Sequence, residues 1–280
     1  MMATPWLDHV AVATDDLDRA AAAYGRLGFN LTPRSSHSGD DGPWGTGNHC
    51  AMFRDGYFEL IGITDPALYH DHLKAALARY TGLHLIALGT DDSQSTYREV
   101  ASRGVTIGEP YGIARQVPYG DSTREGRFHI TEIDTTWFPE ADFFFCQHHT
   151  PDVLWQPDLL DHPNGVMGLA GVTIVALDPV ATARRIAAVS SVADTETEDG
   201  HRFVLARGTI DVVSADGLGA HFVGIKPPVL PWVAAVTFTV SDPRAIEDLA
   251  ASRGIKTVTT GAGVWVGPDD ADGALLVFGS

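Results

Sequence analysis

Cysteine is scarce in this chain: Cys50 and Cys146 are the two thiols in 280 residues. A small secreted scaffold held by disulfides needs a far denser framework, so that class is excluded, and the two thiols read as small buried hydrophobes. Basic residues are outnumbered, 19 Lys and Arg against 36 Asp and Glu, and they form no run. A formal charge of −17 argues against a nucleic-acid binder, which needs a basic footprint, and against docking on anionic membranes. No apolar stretch approaches the roughly 20 residues that span a bilayer. The opening MMATPWLDHV has neither the basic nor the apolar region of a secretory signal, so the chain reads as cytoplasmic. Disorder is not indicated either, because 44% hydrophobic and 20% charged residues are enough to build a core.

What the chain does have is a repeat. LDHVAVATDDLDRA at 7–20, LHLIALGTDDSQS at 83–95, LAGVTIVALDPVA at 169–181 and VAAVTFTVSDPRA at 233–245 share one pattern. Each is an apolar strand running into an Asp-rich or Asp-Pro helix start, where a side-chain oxygen caps the free backbone N–H groups. In the first copy Leu17, Ala20, Ala21, Tyr24 and Leu27 recur at helical spacing, and Gly28 stops the helix. Strands follow each helix: 49–53 and 57–63 about an Arg54-Asp55-Gly56 turn, then 127–134 and 142–148, 202–206 and 209–214, and 263–266 and 274–278. Residues 35–48, rich in Gly, Ser and Asp, read as a long loop from which His37, Trp44 and Asn48 can close over a ligand. Residues 151–165 hold three prolines and a Pro-Asn-Gly turn signal. They read as an ordered linker between a first domain at 1–150 and a second at 166–280.

With those segments on the page, a resemblance follows. LDHVAVATDDLDRAAAAYGRLGF resembles the opening strand and helix of the vicinal-oxygen-chelate, or glyoxalase-like, superfamily. GYFELIGI resembles that module's closing strand, and GLHLIAL the opening strand of the paired module. The resemblance covers the first 150 residues; beyond them only the module pattern persists. It implies an α+β fold of four βαβββ modules in two pairs, each pair a cupped mixed sheet with helices outside. It also implies a divalent metal in the N-terminal cup, held by His9, Glu59, His84 and, where a carboxylate is commoner, Gln147. His149 shares Gln147's face by strand alternation, and a register shift of one residue would exchange that face for His148. Trp44, Asn48 and His149 are the candidate substrate-pocket residues. Such a mixed nitrogen and oxygen set suits Zn, Ni, Co, Mn or Fe.

The residues themselves carry part of this. His9 shares a strand face with Leu7, Ala11 and Ala13, which leaves room beside it. Glu59 is a lone carboxylate among Tyr57, Phe58, Leu60 and Ile61, and burying it requires a metal, an Arg partner or water. The resemblance implies a small-molecule enzyme whose metal stabilises an enolate, of lyase or isomerase type, with Glu59 also able to act as general base. A ring-cleaving dioxygenase is the enzymatic alternative, although that branch places a carboxylate where Gln147 stands. A non-catalytic antibiotic-binding protein is the other, with Trp44, Tyr57, Trp137 and residues 143–145 lining its cup. In the second half Gly171, Asp211 and Ala235 stand at the ligand positions. That pair reads as degenerate, covering, stabilising or dimerising, and both a functional monomer and a homodimer stay open.

Overall fold

The computed structural model describes residues 4–68, 71–261 and 263–279, with residues 71 and 72 in backbone only. The first half runs β1 (Trp6–Thr14), α1 (Leu17–Arg26), β2 (Ser35–Gly39), β3 (Gly42–Met52), β4 (Tyr57–Ile63), α2 (Asp71–Arg79), β5 (Gly82–Gly89), α3 (Ser93–Ser102), β6 (Tyr111–Tyr119), β7 (Ser122–Glu132) and β8 (Asp142–His148). A short α4 (Pro151–Leu154) leads into the second half. There follow β9 (Val166–Val175), α5 (Pro179–Ser190), β10 (Asp194–Glu196), β11 (Gly200–Val204), β12 (Thr209–Val213), α6 (Ala215–His221), β13 (Trp232–Val240), α7 (Pro243–Ser252), β14 (Thr257–Thr260), β15 (Gly263–Val266) and β16 (Leu275–Gly279).

The anticipated aspartates cap the four long helices. Asp16 accepts from the Arg19 N–H, Asp92 from Ser95, Asp178 from Ala181 and Asp242 from Arg244. In each half two opening strands pair antiparallel at the centre, β1 with β5 and β9 with β13. Each opening strand runs parallel to the closing strand of its own module. The outward faces of both sheets, with the helices, form one continuous core. Phe29 and Phe53 of the first half lie 5.2 and 5.8 Å from Phe238 of the second.

The halves differ at their edges. Residues 35–48 are not the expected loop: they form most of a hairpin, β2 and β3, turning at Asp40 and Asp41. The glycines serve close approach; a Cβ on Gly47 would meet the Ser35 carbonyl at 2.8 Å. β2 then pairs with β6, His37 opposite Arg115, and closes the first sheet into an eight-stranded barrel in the order β1-β4-β3-β2-β6-β7-β8-β5. The second sheet keeps the same strand plan but stays open, with three-residue β10 and four-residue β14 at its edges. The stretch after β8 is fastened to the first half. Val153 and Leu154 pack against Val117 and Phe128 at one end of the barrel, and the Trp155 indole donates to the Phe53 carbonyl at 2.8 Å. His162 bonds to the Met52 carbonyl and Asn164 to that of Leu27.

One irregularity recurs at the same place in all four opening strands. Asp8, His84, Ala170 and Ala234 are each skipped in the ladder, as bulges. The residue after the bulge is then His9, Leu85, Gly171 or Ala235. Each faces the interior of its sheet.

Candidate functional site

The bulge decides which side chains meet inside the barrel. It turns His9 inward, where its ring stacks on Tyr57 at 4.2 Å and stands edge-on to Phe144 at 5.5 Å. The bulged residue, Asp8, sits directly beside it and is buried: its Oδ1 lies 2.7 Å from His9 Nδ1. On its other side the same carboxylate meets His148 Nε2 at 2.9 and 3.1 Å. Burial alone would raise the Asp8 pKa, but His148 and His9, by charge and hydrogen bonds, hold it well below the usual carboxylate range. An ionised Asp8 accepts only, so His9 carries its proton on Nδ1 and turns Nε2 toward the cavity. There Tyr57 Oη is 3.3 Å away and Glu59 Oε2 3.8 Å.

Glu59 is 5% exposed. Its Oε1 accepts from Asn48 Nδ2 at 2.6 Å and lies 3.7 Å from His37 Nε2. Burial first, then Arg115 and His9, pull the His37 pKa down to about 4 against the pull of Glu59, so its ring is neutral. Asn48 holds this group together: its oxygen accepts from Arg115 Nη1 at 3.1 Å, and its Nδ2 also reaches His37 Nε2 at 3.1 Å. Arg115 is 4% exposed, and its guanidinium lies 5.9 Å from the Tyr57 ring centre and 5.7 Å from that of Phe128. Burial opposes its charge, but Cys50, Tyr57 and Glu59 keep it firmly protonated. Burial pushes the Cys50 thiol up to about 11, and burial with Asp8 and Glu59 raises Cys146 further, so both thiols are protonated at neutral pH. His9, His37, Asn48, Tyr57, Glu59, Arg115 and Cys146 line a cavity of about 90 Å³, together with Leu85, Phe144, Trp44 and Tyr111, the last two rings 6.0 Å apart.

Of the residues expected at this centre, His9 and Glu59 come together, and Asn48 and Trp44 line the same cavity. His84 and Gln147 do not. His84 is the bulge residue of β5, the counterpart of Asp8 rather than of His9. It stacks on Tyr80 at 3.9 Å and bonds through Nε2 to the Tyr80 carbonyl at 2.8 Å. Gln147 faces outward and holds the start of α3, accepting from the Ser93 N–H and donating to the Asp91 carbonyl. The register pairs Ala11 with Glu59 and Ala87 with Phe144, so Phe144 is the counterpart of Glu59. His149 is exposed outside the barrel, 4.4 Å from His129. Asp8, Arg115 and Cys146 were not anticipated at the centre, and His148 was expected there only if the register shifted by one residue. Asp8 had a signal: the Thr-Asp-Asp stretches at 14–16 and 90–92, used as anchors, align Asp8 with His84 and His9 with Leu85.

The barrel therefore presents His9, Glu59, Leu85 and Phe144 at the four equivalent strand positions. Two of these offer a donor and two are hydrocarbon, which does not fit a metal held from all four. Glu59 accepts from Asn48, which in turn accepts from Arg115, so the arginine stands one amide away from the buried carboxylate.

A model of the glyoxalase-like domain matches residues 7–190. The chain belongs to the glyoxalase-like domain family. No curated protein matches this glyoxalase-like chain, but solved structures do. A hypothetical protein from Staphylococcus aureus superposes with a TM-score of 0.68 at 13% identity, covering 98% of each chain. A xylose isomerase-like TIM barrel/4-hydroxyphenylpyruvate dioxygenase fusion protein gives 0.55 at 10% identity, over 99% of this chain and 48% of its own. A mutant of 4-hydroxymandelate synthase from Streptomyces coelicolor gives 0.53 at 12% identity, over 93% and 78%. At such identities these likenesses speak for the fold, that of the vicinal-oxygen-chelate superfamily. No helix among the described residues is long and apolar enough to cross a membrane.

Proposed function

We propose that this glyoxalase-like protein is an enzyme that moves a proton on a small carbonyl compound inside its barrel, chemistry of the isomerase or lyase type. Glu59 is the base: its carboxylate is buried and lines the cavity. His9, oriented by Asp8, faces it from 3.8 Å and exchanges a proton with the substrate oxygen. Arg115 supplies the positive charge against which an enolate oxygen develops. The observation that carries this reading is a buried carboxylate joined through Asn48 to a buried guanidinium, with an Asp-oriented imidazole across the same cavity. A volume of about 90 Å³ equals roughly three waters of liquid, which suits three- or four-carbon substrates. Incubating the protein in deuterium oxide with a panel of three- and four-carbon oxo and hydroxycarbonyl compounds tests it by proton NMR. Deuterium should enter the carbon beside the carbonyl with wild type and not with Glu59→Gln. Exchange at equal rates in both, or in neither, rejects the reading.

A second reading keeps a metal but moves it. The donor atoms of Asp8, Cys146 and His148 lie within 4.8 Å of one another, a carboxylate, thiol and imidazole set that suits zinc or cobalt. The Asp8 oxygens are bonded by His9, His148 and, at 3.3 Å, the Trp6 indole. Cobalt titration separates the readings. A sulfur-to-cobalt charge-transfer band that vanishes in Cys146→Ser supports the metal centre, and the absence of that band removes it.

A further inference from the structure

Tyr57 brings to the barrel cavity a hydroxyl that the proton transfers assigned to Glu59 and His9 leave unused. It stands opposite His9 where β1 and β4 pair in parallel. Its ring lies over the imidazole, 4.2 Å between centres and 13° between planes, and its Oη is 3.3 Å from His9 Nε2. Rings stacked that closely put the hydroxyl over the face of the imidazole, whereas the Nε2 lone pair lies in the ring plane. The contact is therefore a poor hydrogen bond. The lone pair stays open, and the phenol proton has no other acceptor among the described residues.

Tyr57 is buried and lines the cavity with His9 and Glu59. Burial first, then Cys146, Glu59 and Asp8, push its pKa well above that of a free phenol against the pull of Arg115, so it keeps its proton. A neutral phenol in a closed site offers a hydrogen bond to developing negative charge without losing that proton. Beside it His9 Nε2 offers an acceptor, its tautomer fixed by the contact of Nδ1 with Asp8. Glu59 Oε2, 3.8 Å from the same Nε2, adds a base. A donor, an acceptor and a base thus lie within reach of one small molecule. A plain ketone can use the donor and the base, but it leaves Nε2 unmatched. A carbonyl compound with a hydroxyl on the next carbon uses all three.

Building on the proton-transfer reading above, we propose that Tyr57 is a further catalytic residue, donating to the carbonyl oxygen of an α-hydroxy aldehyde or ketone whose hydroxyl donates to His9. Glu59 takes the proton from the hydroxyl-bearing carbon. The C–H pair becomes the C=C bond, and the carbonyl π pair moves onto the oxygen held by Tyr57. Return of the proton to the same carbon restores the substrate. Return to the neighbouring carbon gives the isomer, with His9 carrying the hydroxyl proton to the other oxygen. The probes are hydroxyacetone and butanone, which has a methyl where hydroxyacetone has its hydroxyl, each followed by proton NMR in deuterium oxide. Wild type should exchange the hydroxyl-bearing carbon of hydroxyacetone at least about a hundredfold faster than the matching carbon of butanone, each relative to buffer. Tyr57→Phe keeps the ring stack and should lower kcat about a hundredfold while KM changes less than about threefold. Undiminished exchange in Tyr57→Phe, a loss through KM alone, equal exchange of the two ketones or exchange of neither would overturn the proposal. Glu59-dependent exchange confined to compounds without the hydroxyl would keep the base and reject this role for Tyr57. Exchange that survives Glu59→Gln and falls in Tyr57→Phe would do the reverse.

Discussion

The barrel and the open cup are the same strand plan carried to different ends. Both have the central antiparallel pair, the bulge one residue before the inward position and the Asp-capped helix. In the first half β2 meets β6, the interior is crowded, and its charged groups are buried in contact with one another. In the second half short edge strands leave the sheet open, and the corresponding ion pair, Arg202 with Asp211, is half in solvent. The comparison teaches that this architecture fixes where four side chains point, while their size and the closure of the edge decide whether the centre is filled, ionised or left as space.

The sharpest way to break the comparison is to remove one cation from each half. Arg115→Met strands Glu59 in a closed interior and should cost about 3–5 kcal/mol in urea unfolding. Arg202→Gln removes an exposed guanidinium from the half-buried Asp211 and should cost less than about 1 kcal/mol. Comparable losses in both would mean that the barrel's interior is wetter than its burial implies.

A smaller effect sharpens the point about side-chain identity. Leu85→His puts an imidazole at the inward position opposite His9 and Glu59, completing two nitrogens and a carboxylate. Zinc at a hundredfold excess over its dissociation constant should then raise unfolding stability by about 2.7 kcal/mol. Wild type should gain nothing from those positions. If zinc stabilises the two proteins equally, the four strand positions are not what governs metal uptake.

The gentlest test uses pH. His37 and His84 are buried with folded pKa values of about 4, against 6.5 for the free side chain. Between those values the unfolded chain binds protons that the folded chain refuses. Stability is therefore full above pH 6.5 and falls as pH drops toward 4. The double variant His37→Gln/His84→Gln should show a shallower decline in urea midpoint over that window. An unchanged slope would place both rings in contact with solvent.

Much of the fold was legible because local chemistry and periodicity agree. The four apolar strands and their aspartate caps stand out, Glu59 is conspicuous as a lone polar group in an apolar run, and His9 as an imidazole at the head of another. What was hidden is the bulge. Alternation assigns faces by counting in twos and does not foresee a skipped residue, so His84, itself the bulge residue, was assigned to an interior it does not face. Gln147 was misplaced for another reason: the position equivalent to Glu59 is Phe144, three residues earlier in β8. The glycine-rich β2–β3 hairpin read as a loop because its glycines permit close strand approach, which composition alone cannot distinguish from flexibility. Arg115 carried no signal, since its partners Asn48 and Cys50 are brought to it only by closure of the barrel.

The plug formed by Val153 and Leu154 sits beside Val117, at the end of β6 opposite Tyr111. The chamber is thus stoppered at that end, while the rings of Trp44 and Tyr111 line it toward the other. Under the proposed function, shrinking either ring should alter how fast a small molecule enters and leaves without touching the groups around Glu59.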